Sequence, residues 1–291
     1  METGNFTSSA VMDALLPAEM AEKAEHIGVQ KTRLEAPRLL VLAILAGAFI
    51  AFGAMFSTIV VAGADGVLPY GVARLLAGLV FSVGLILVVV GGAELFTGNN
   101  LMVMAWAGGR VSLGEMLRAW ALVYLGNFIG ATVTALLVFA TASYGHGVGA
   151  AALAIAEGKA SLPFLPALVR GILGNVLVCL AVWLCYSART TTDRILAIVP
   201  PIAAFVAAGF EHSVANMYLI PYGILIRNFA PPDFWAGIGA TPDQFPALTL
   251  GGMSANLVPV TIGNVIGGGV LVGAVYWFAY LRHRPAPSDK P

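Results

Sequence analysis

Six long stretches of the chain consist almost entirely of apolar residues, and the charged residues gather between them. A helix that crosses a bilayer needs about 20 apolar residues, and each stretch is long enough to provide them. The pattern therefore predicts an all-α membrane protein with six transmembrane helices. The predicted spans are Leu39–Gly63, Leu75–Gly109, Ala119–Tyr144, Pro166–Ala188, Ile195–Ile226 and Ala255–Leu281.

Polar clusters interrupt the second and the fifth of these stretches. The first cluster is Glu94–Asn100, and the second is Glu211–Asn216. Backbone that leaves the helix inside a bilayer is tolerated only where it lines a cavity or is buried in protein. We therefore expect helices 2 and 5 to be broken at the membrane midplane, with a polar site between the breaks.

Composition supports the membrane assignment and narrows the class of function. The 291 residues are 59% hydrophobic and only 10% charged, with a mean hydropathy of +0.87. Soluble domains carry about 25% charged residues. The formal net charge of zero gives no basic field for nucleic acid, so no nucleic-acid partner is expected. Cys179 and Cys185 lie within one apolar stretch and are interpreted as core residues.

Lys and Arg are distributed unevenly between the two sides of the predicted spans. Basic residues favour the cytoplasmic side, so eleven against four predicts that both termini are cytoplasmic. The eleven are Lys23, Lys31, Arg33, Arg38, Arg110, Arg118, Arg189, Arg194, Arg282, Arg284 and Lys290. The four on the other side are Arg74, Lys159, Arg170 and Arg227.

The hydropathy pattern divides the chain into three regions. Residues 1–37 contain apolar positions at helical spacing over Ser8–Arg33, which predicts an amphipathic cytoplasmic helix that Pro17 interrupts. This helix is either a surface anchor or a gate at the inner mouth of a pore. Residues 38–282 form the six-helix domain. Residues 283–291 are predicted to be a disordered cytoplasmic tail.

The two halves of the six-helix domain echo each other. Glu94-Leu-Phe-Thr-Gly-Asn99 matches Glu211-His-Ser-Val-Ala-Asn216, and the next span of each half carries Gly-Asn-x-Ile-Gly, at 126–130 and 263–267. Three spans repeated lie in opposite orientations, and such inverted repeats place the substrate site where broken helices meet. A structural alternative is that Glu94 and Glu211 only cap the half-helices that follow them.

His212 is the one histidine within a predicted span, whereas His26, His146 and His283 lie outside. An ionisable group at the midplane is a functional candidate, although a buried histidine is also commonly structural. Thr97 stands in the matching break, where its hydroxyl could orient an anion or simply bond to local backbone. Lys159 could attract anions on the outer side or be a solvated loop charge.

Several motifs in family order make the chain resemble the formate/nitrite transporter family, most closely its FocA-type formate channels. The motifs are Leu-Leu-Pro-Ala at 15–18, Glu-Leu-Phe-Thr-Gly-Asn at 94–99, Val-Tyr-Leu-Gly-Asn-Phe-Ile-Gly-Ala at 123–131, Asn-Val-Leu-Val-Cys-Leu-Ala-Val-Trp at 175–183, Gly-Phe-Glu-His-Ser-Val-Ala-Asn-Met-Tyr-Leu-Ile-Pro at 209–221 and Pro-Val-Thr-Ile-Gly-Asn-Val-Ile-Gly-Gly-Gly at 259–269. The resemblance implies an aquaporin-like fold and a homopentamer in which each protomer has its own pore.

The resemblance also implies residue roles. His212 matches the central pore histidine, and Thr97 matches the threonine of the first break. The candidate pore and substrate residues are His212, Thr97, Lys159, Asn175, Asn264 and Glu211. The candidate constriction residues match hydrophobic positions of the family and are otherwise read as core: Phe81, Leu85, Leu95, Phe96 and Phe205.

The resemblance implies transport of small monovalent anions across a bacterial inner membrane, with formate first and a proton accompanying it. Gly98-Asn99 departs from the Ser-Thr of FocA-type proteins and resembles other branches, so nitrite and hydrosulfide remain alternatives. The absence of Asn-Pro-Ala argues against a water or glycerol channel. An intramembrane enzyme is a distant alternative, because Ser213 adjoins His212 but neighbours on a helix do not face each other. We expect no enzyme activity, metal or cofactor.

Overall fold

The computed structural model describes residues 14–145 and 147–283, and this part of the chain is helical without strands. Shorter turns join the helices, including 3₁₀ turns at Asn100–Met102 and Pro242–Gln244 and a π-helical segment at Ile266–Ala274. The α-helices are α1 Pro17–Thr32, α2 Ala36–Val61, α3 Tyr70–Gly91, α4 Phe96–Asn99, α5 Val103–Ala107, α6 Leu113–Ala140, α7 Val148–Ala160, α8 Phe164–Ser187, α9 Thr191–Ala207, α10 Ser213–Phe229, α11 Pro232–Ile238, α12 Leu250–Val265 and α13 Val275–Tyr280.

Five helices are long and apolar enough to cross a membrane, by length and composition, within the described residues. Four of them are α2, α3, α6 and α8, and the fifth is the continuous run Leu250–Tyr280 that contains α12 and α13. The remaining predicted stretch is divided between α9 and α10, each of 17 residues. The chain thus leaves the helix where the polar cluster at Glu211 predicts.

Helix α1 begins at Pro17, and residues 14–16 before it are not helical. Pro17 therefore starts the helix instead of interrupting it, because a proline ring fits the first turn, where no backbone N–H bond is required. Residues 8–13 of the predicted helix, with Val11, lie outside the described residues, as does the predicted tail from residue 284. The buried face of α1 includes Met20, Ala24 and Gly28, at helical spacing.

The outward faces of the long helices are apolar. Val41, Leu45 and Phe52 of α2 are each more than 40% exposed, and the other long helices show the same pattern. Soluble proteins rarely expose continuous apolar patches of this extent. These faces fit lipid or neighbouring subunits.

Glycines bring α6 against α2 and bring α12 with its π segment against α8. A Cβ on Gly130 would overlap the carbonyl oxygen of Ile44, and a Cβ on Gly267 would overlap that of Ile172. The two contacts occupy matching places in the two halves, so the repeat read from the motifs is also a repeat of packing. Small residues of this kind allow close approach of helices in a membrane.

We predict that Gly130→Ala lowers stability by about 1–3 kcal/mol, because the added methyl forces α6 away from α2. Gly114→Ala is the control on the same helix, since the nearest atom to its Cβ, Ser112 Oγ, lies 4.0 Å away. Thermal unfolding of both variants in detergent measures the difference. Equal midpoints for the two variants would show that the Gly130 contact does not govern the packing.

Candidate functional site

The second and the fifth apolar stretches are each interrupted by a short non-helical segment. Residues 92–95 are called here the first break, and residues 208–212 the second break. Gly92 has φ +80° and Gly209 has φ +71°, a left-handed conformation that glycine adopts without strain. The backbone N–H of Glu94 donates to the Leu42 carbonyl at 3.2 Å, and that of Glu211 donates to the Arg170 carbonyl at 3.1 Å. Each break is thus tied to the helix beside it in the same way.

Asn127 on α6 satisfies the backbone of the first break. Its Oδ1 accepts from the N–H of Phe96 at 2.8 Å. Its Nδ2 donates to the carbonyls of Ala43 at 2.7 Å and Glu94 at 2.9 Å. One buried amide therefore supplies three hydrogen bonds to buried backbone groups.

Asn264 on α12 does the same for the second break. Its Oδ1 accepts from the N–H of Ser213 at 2.9 Å, and its Nδ2 donates to the carbonyls of Gly171 at 2.8 Å and Glu211 at 3.1 Å. The structure therefore places Asn264, a candidate pore residue, as the clamp of the second break. Sequence reasoning missed the equal role of Asn127, although the Gly-Asn repeat contained the signal.

Thr97 and His212, the two central candidates, contact each other. Thr97 Oγ1 lies 2.8 Å from His212 Nε2, and both side chains are buried. His212 also caps α10, because its Nδ1 accepts from the N–H of Ala215 at 3.1 Å. One side-chain hydrogen bond thus joins the end of the second break to α4, which begins directly after the first break.

These two contacts determine the tautomer of His212. A backbone N–H can only donate, so Nδ1 carries no proton while it accepts from Ala215. In the neutral ring the proton is then on Nε2, which donates to Thr97 Oγ1. The hydroxyl hydrogen of Thr97 is consequently available to another acceptor. A second proton on His212 would require Nδ1 to release Ala215 and would remove the cap.

Asn175 of α8 contacts the backbone of Thr97 and two neighbouring groups. Its Nδ2 lies within hydrogen-bond distance of three acceptors: the Thr97 carbonyl at 3.3 Å, Asn100 Oδ1 at 2.7 Å and the Asn264 carbonyl at 2.7 Å. It therefore connects α4 and the 3₁₀ turn that follows it to α12. The structure places Asn175 as a support for Thr97 and the chain after it.

Lys159, the last-turn residue of α7, forms an ion pair with Glu211. Lys159 Nζ lies 2.8 Å from Glu211 Oε1, and Asn216 Nδ2 donates to Glu211 Oε2 at 2.6 Å. Asn256 of α12 holds the arrangement, since its Nδ2 donates to the Lys159 carbonyl and its Oδ1 accepts from Asn216. The carboxylate of Glu211 is thus buried but compensated on both oxygens.

A matching cluster occupies the first half, where its lysine comes from α1. Lys31 Nζ donates to Glu94 Oε2 at 2.8 Å and to Asn99 Oδ1 at 2.7 Å, while Asn99 Nδ2 donates to Glu94 Oε2. Sequence reasoning missed Lys31 because it precedes the first predicted span. The signal was its position, since Lys31 stands before α2 as Lys159 stands before α8.

Two cavities lie one after the other along α3. The α7-side cavity, of about 320 Å³, is lined by Ala77, Phe81 and Lys159 among others. The α1-side cavity, of about 240 Å³, is lined by Leu85 in the later part of α3, by Gly92 directly after α3 and by Lys31 of α1. Thr97 and His212 lie between the cavities, because their chain neighbours line one or the other. Each lysine cluster therefore lines one of the two cavities.

The predicted constriction residues divide into three groups. Phe81 and Phe205 pack edge to face with ring centres 5.8 Å apart, and Phe205 lies 6.0 Å from the His212 ring. Leu85 and Leu95 line the α1-side cavity. Phe96 lines neither of the two cavities and packs against Trp120 and Tyr124.

Comparison with known proteins identifies the family. The sequence profile described as formate/nitrite transporter matches residues 18–278. A relative named formate channel FocA, from Escherichia coli (strain K12), is 46% identical over 274 residues, which are 93% of this chain and 96% of the relative. The chain belongs to the formate/nitrite transporter family. It is accordingly a multi-pass membrane protein of a family of channels and transporters, not an enzyme.

Solved structures of the formate/nitrite transporter family agree with this assignment. One described as a pentameric formate channel with formate bound is 45% identical, covers 85% of this chain and 98% of its own, and has a TM-score of 0.80. Another, described as an FNT family ion channel, is 30% identical, covers 90% and 98%, and has a TM-score of 0.76. The fold described above is therefore that of the family.

We predict that solid-state NMR of the protein in bilayers finds His212 with Nδ1 unprotonated and Nε2 protonated at neutral pH. The reason is the bond from Ala215, which only an unprotonated Nδ1 can accept. Histidine ¹⁵N shifts distinguish the two tautomers, and loss of the signal in His212→Asn assigns it. A signal of the opposite tautomer would contradict the capping geometry.

Proposed function

We propose that this protein transports formate across the membrane through a pore in each protomer. The observation that carries the proposal is the Thr97–His212 pair, which lies between two cavities that each end in a lysine. Family membership and the relatives named as formate channels support formate as the substrate. The related structure described as a pentamer supports a homopentamer.

We propose six crossings, of which the fifth along the chain is formed by α9 and α10 with the second break between them near the midplane. α4, the 3₁₀ turn and α5 continue the crossing of α3 beyond the first break. The excess of basic residues at the predicted cytoplasmic segments supports both termini in the cytoplasm of a cell with an inner membrane. In this orientation the α7-side cavity opens outward, and the α1-side cavity opens to the cytoplasm.

An anion in the apolar constriction is costly, since a charged group in hydrocarbon loses several kcal/mol of hydration. Three features of the centre reduce this cost. The N-terminus of α10 points its positive dipole end at the pair. Thr97, which accepts from His212 Nε2–H, is free to donate its own hydroxyl hydrogen to a formate oxygen. Passage beside Phe81 and Phe205 as formic acid removes the charge altogether.

His212 acts in this mechanism mainly by orienting and polarising Thr97. Its Nδ1 is occupied by Ala215, so a proton supplied directly by His212 would require that the cap of α10 opens. The proton that accompanies formate is taken from water in one cavity and returned in the other. Replacement of His212 by Phe removes both hydrogen bonds of the ring and should abolish proton-coupled formate flux.

The proposal is tested by flux into proteoliposomes for formate, nitrite, lactate and hydrosulfide, with and without a pH gradient. Formate should pass best, and Thr97→Val should reduce its flux about 10–100-fold, which corresponds to one hydrogen bond to a charged group. Thr97→Ser, which keeps the hydroxyl, is the matched control and should remain near wild type. Passage of nitrite or hydrosulfide with no formate flux would overturn the choice of substrate.

Helix α1 is proposed to gate the cytoplasmic mouth. Besides the Lys31–Glu94 pair, Lys23 Nζ donates to the Tyr186 carbonyl at 2.9 Å. Glu25 packs against Gly108, with its Oε2 3.5 Å from Arg110 Nε. Burial raises the pKa of Glu25, although Arg110 opposes the shift. Because the packed helix binds a proton at Glu25 more readily than the released helix, acid favours packing through this group.

We predict that Glu25→Gln weakens the pH dependence of α1 packing, since the amide resembles the protonated carboxyl at every pH. Proteolysis within α1, measured on the detergent-solubilised protein, should slow as the pH falls from neutral to mildly acid in the wild type but much less in Glu25→Gln. Glu35→Gln, at an exposed position without a side-chain capping bond, is the control. Faster wild-type cleavage in acid would contradict the sign.

A further inference from the structure

The two mouths of the proposed pore differ in charge. The α1-side cavity is lined by one basic residue, Lys31, and one acidic residue, Glu94. The α7-side cavity is lined by three basic residues and a single carboxylate, that of Glu211. The three are Arg74, Lys159 and Arg170. The repeat that makes the breaks alike therefore does not extend to the charge of the mouths.

The three basic groups of the α7-side cavity are not equally available. Lys159 is paired with Glu211 at 2.8 Å. The Arg74 guanidinium donates to the carbonyls of Val206 and Ala207, where α9 ends. Arg170 is exposed, and its side chain has no hydrogen bond or ion pair among residues 14–145 and 147–283. Among the described residues it is therefore the basic group of this cavity whose side chain is paired with neither a carboxylate nor a carbonyl.

The repeat shows that the fold does not need the charge of Arg170. The structural contribution of Arg170 is its carbonyl, which accepts from Glu211 N–H at 3.1 Å. At the matching place in the first half, the carbonyl of Leu42 accepts from Glu94 N–H at 3.2 Å, and an apolar side chain suffices there. The guanidinium of Arg170 is therefore not needed for this backbone contact and is available to bind a ligand.

We propose that Arg170 is a capture residue for small carboxylate anions at the α7-side mouth, and that it makes capture by the pore more effective from that side than from the other. A guanidinium offers two parallel N–H donors that match the two oxygens of a carboxylate. It is exposed, so its contribution is modest and screened by salt beyond about 10 Å. The excess positive charge also raises the local concentration of anions in a cavity with low-dielectric walls.

This inference rests on the proposed function, because it assigns a residue to the capture of formate at one mouth of the pore. The test uses proteoliposomes in which the full chain has one orientation, with formate entry measured separately from each side. Arg170→Gln removes the charge, and Arg170→Lys keeps the charge but not the paired donors. At low ionic strength, Arg170→Gln should raise the half-saturating formate concentration about threefold for entry from the α7 side, with the maximal rate unchanged.

The comparison of sides and of salt conditions decides the proposal. For entry from the α1 side, Arg170→Gln should leave the half-saturating concentration unchanged and lower the maximal rate about threefold, because a passive pore has the same ratio of maximal rate to half-saturating concentration in both directions. The differences from wild type should disappear at high salt. Arg170→Lys should lie between the two on the α7 side. An equal rise of the half-saturating concentration on both sides, an effect independent of salt, or no effect at all would overturn the assignment.

A binding measurement separates failure of this inference from failure of the proposed function. Saturation-transfer NMR on ¹³C-formate with the solubilised protein reports capture without requiring passage. Weaker transfer in Arg170→Gln than in wild type would support capture even if the wild type carried no formate. Equal transfer in both proteins would overturn the role of Arg170 even if formate flux were normal.

Discussion

The structure depends on one constraint, which is that backbone N–H and C=O groups inside a membrane need partners within the protein. Two interrupted helices create such groups at residues 92–95 and 208–212. Asn127 and Asn264 each make three hydrogen bonds to backbone groups at and beside these breaks, and both side chains are fully buried. The glycines beside these asparagines let α6 and α12 approach closely enough for the amides to reach the breaks.

The side chains at the centre of this symmetric arrangement differ between the two halves of the repeat. Leu95 stands in the first break where His212 stands in the second, and Val214 stands on α10 where Thr97 stands on α4. Each half therefore contributes one apolar and one polar residue at these matching positions. The result is a single hydrogen-bonded pair, Thr97–His212, instead of two identical groups.

The leading helices α1 and α7 are also equivalent, since each ends near the lysine that compensates a buried glutamate. They differ in how they are held. Glu157 of α7 accepts from the N–H of Ala247 with both oxygens, at 3.1 and 3.2 Å, and Phe234 of α11 packs 5.3 Å from Tyr144. The segment with α11 that supplies these contacts is an insertion in the second half. The first half lacks this insertion. Helix α1 is held by side-chain contacts to the ends of other helices, which suits its proposed role as a gate of the cytoplasmic mouth.

The sequence by itself determined the apolar stretches, the positions of the two breaks, the repeat and the family, because hydropathy and motifs are properties of neighbouring residues. It also singled out His212, since a histidine in an apolar stretch is visible without a structure. Only the tertiary structure decided that Lys31 pairs with Glu94, that Asn127 and Asn264 clamp the breaks, and that Phe96 packs away from the two cavities. It alone gave the contacts of the two ring nitrogens of His212, from which the tautomer is inferred. These features depend on which groups from distant segments come within about 3 Å of one another, and the spacing of residues along the chain does not contain that information.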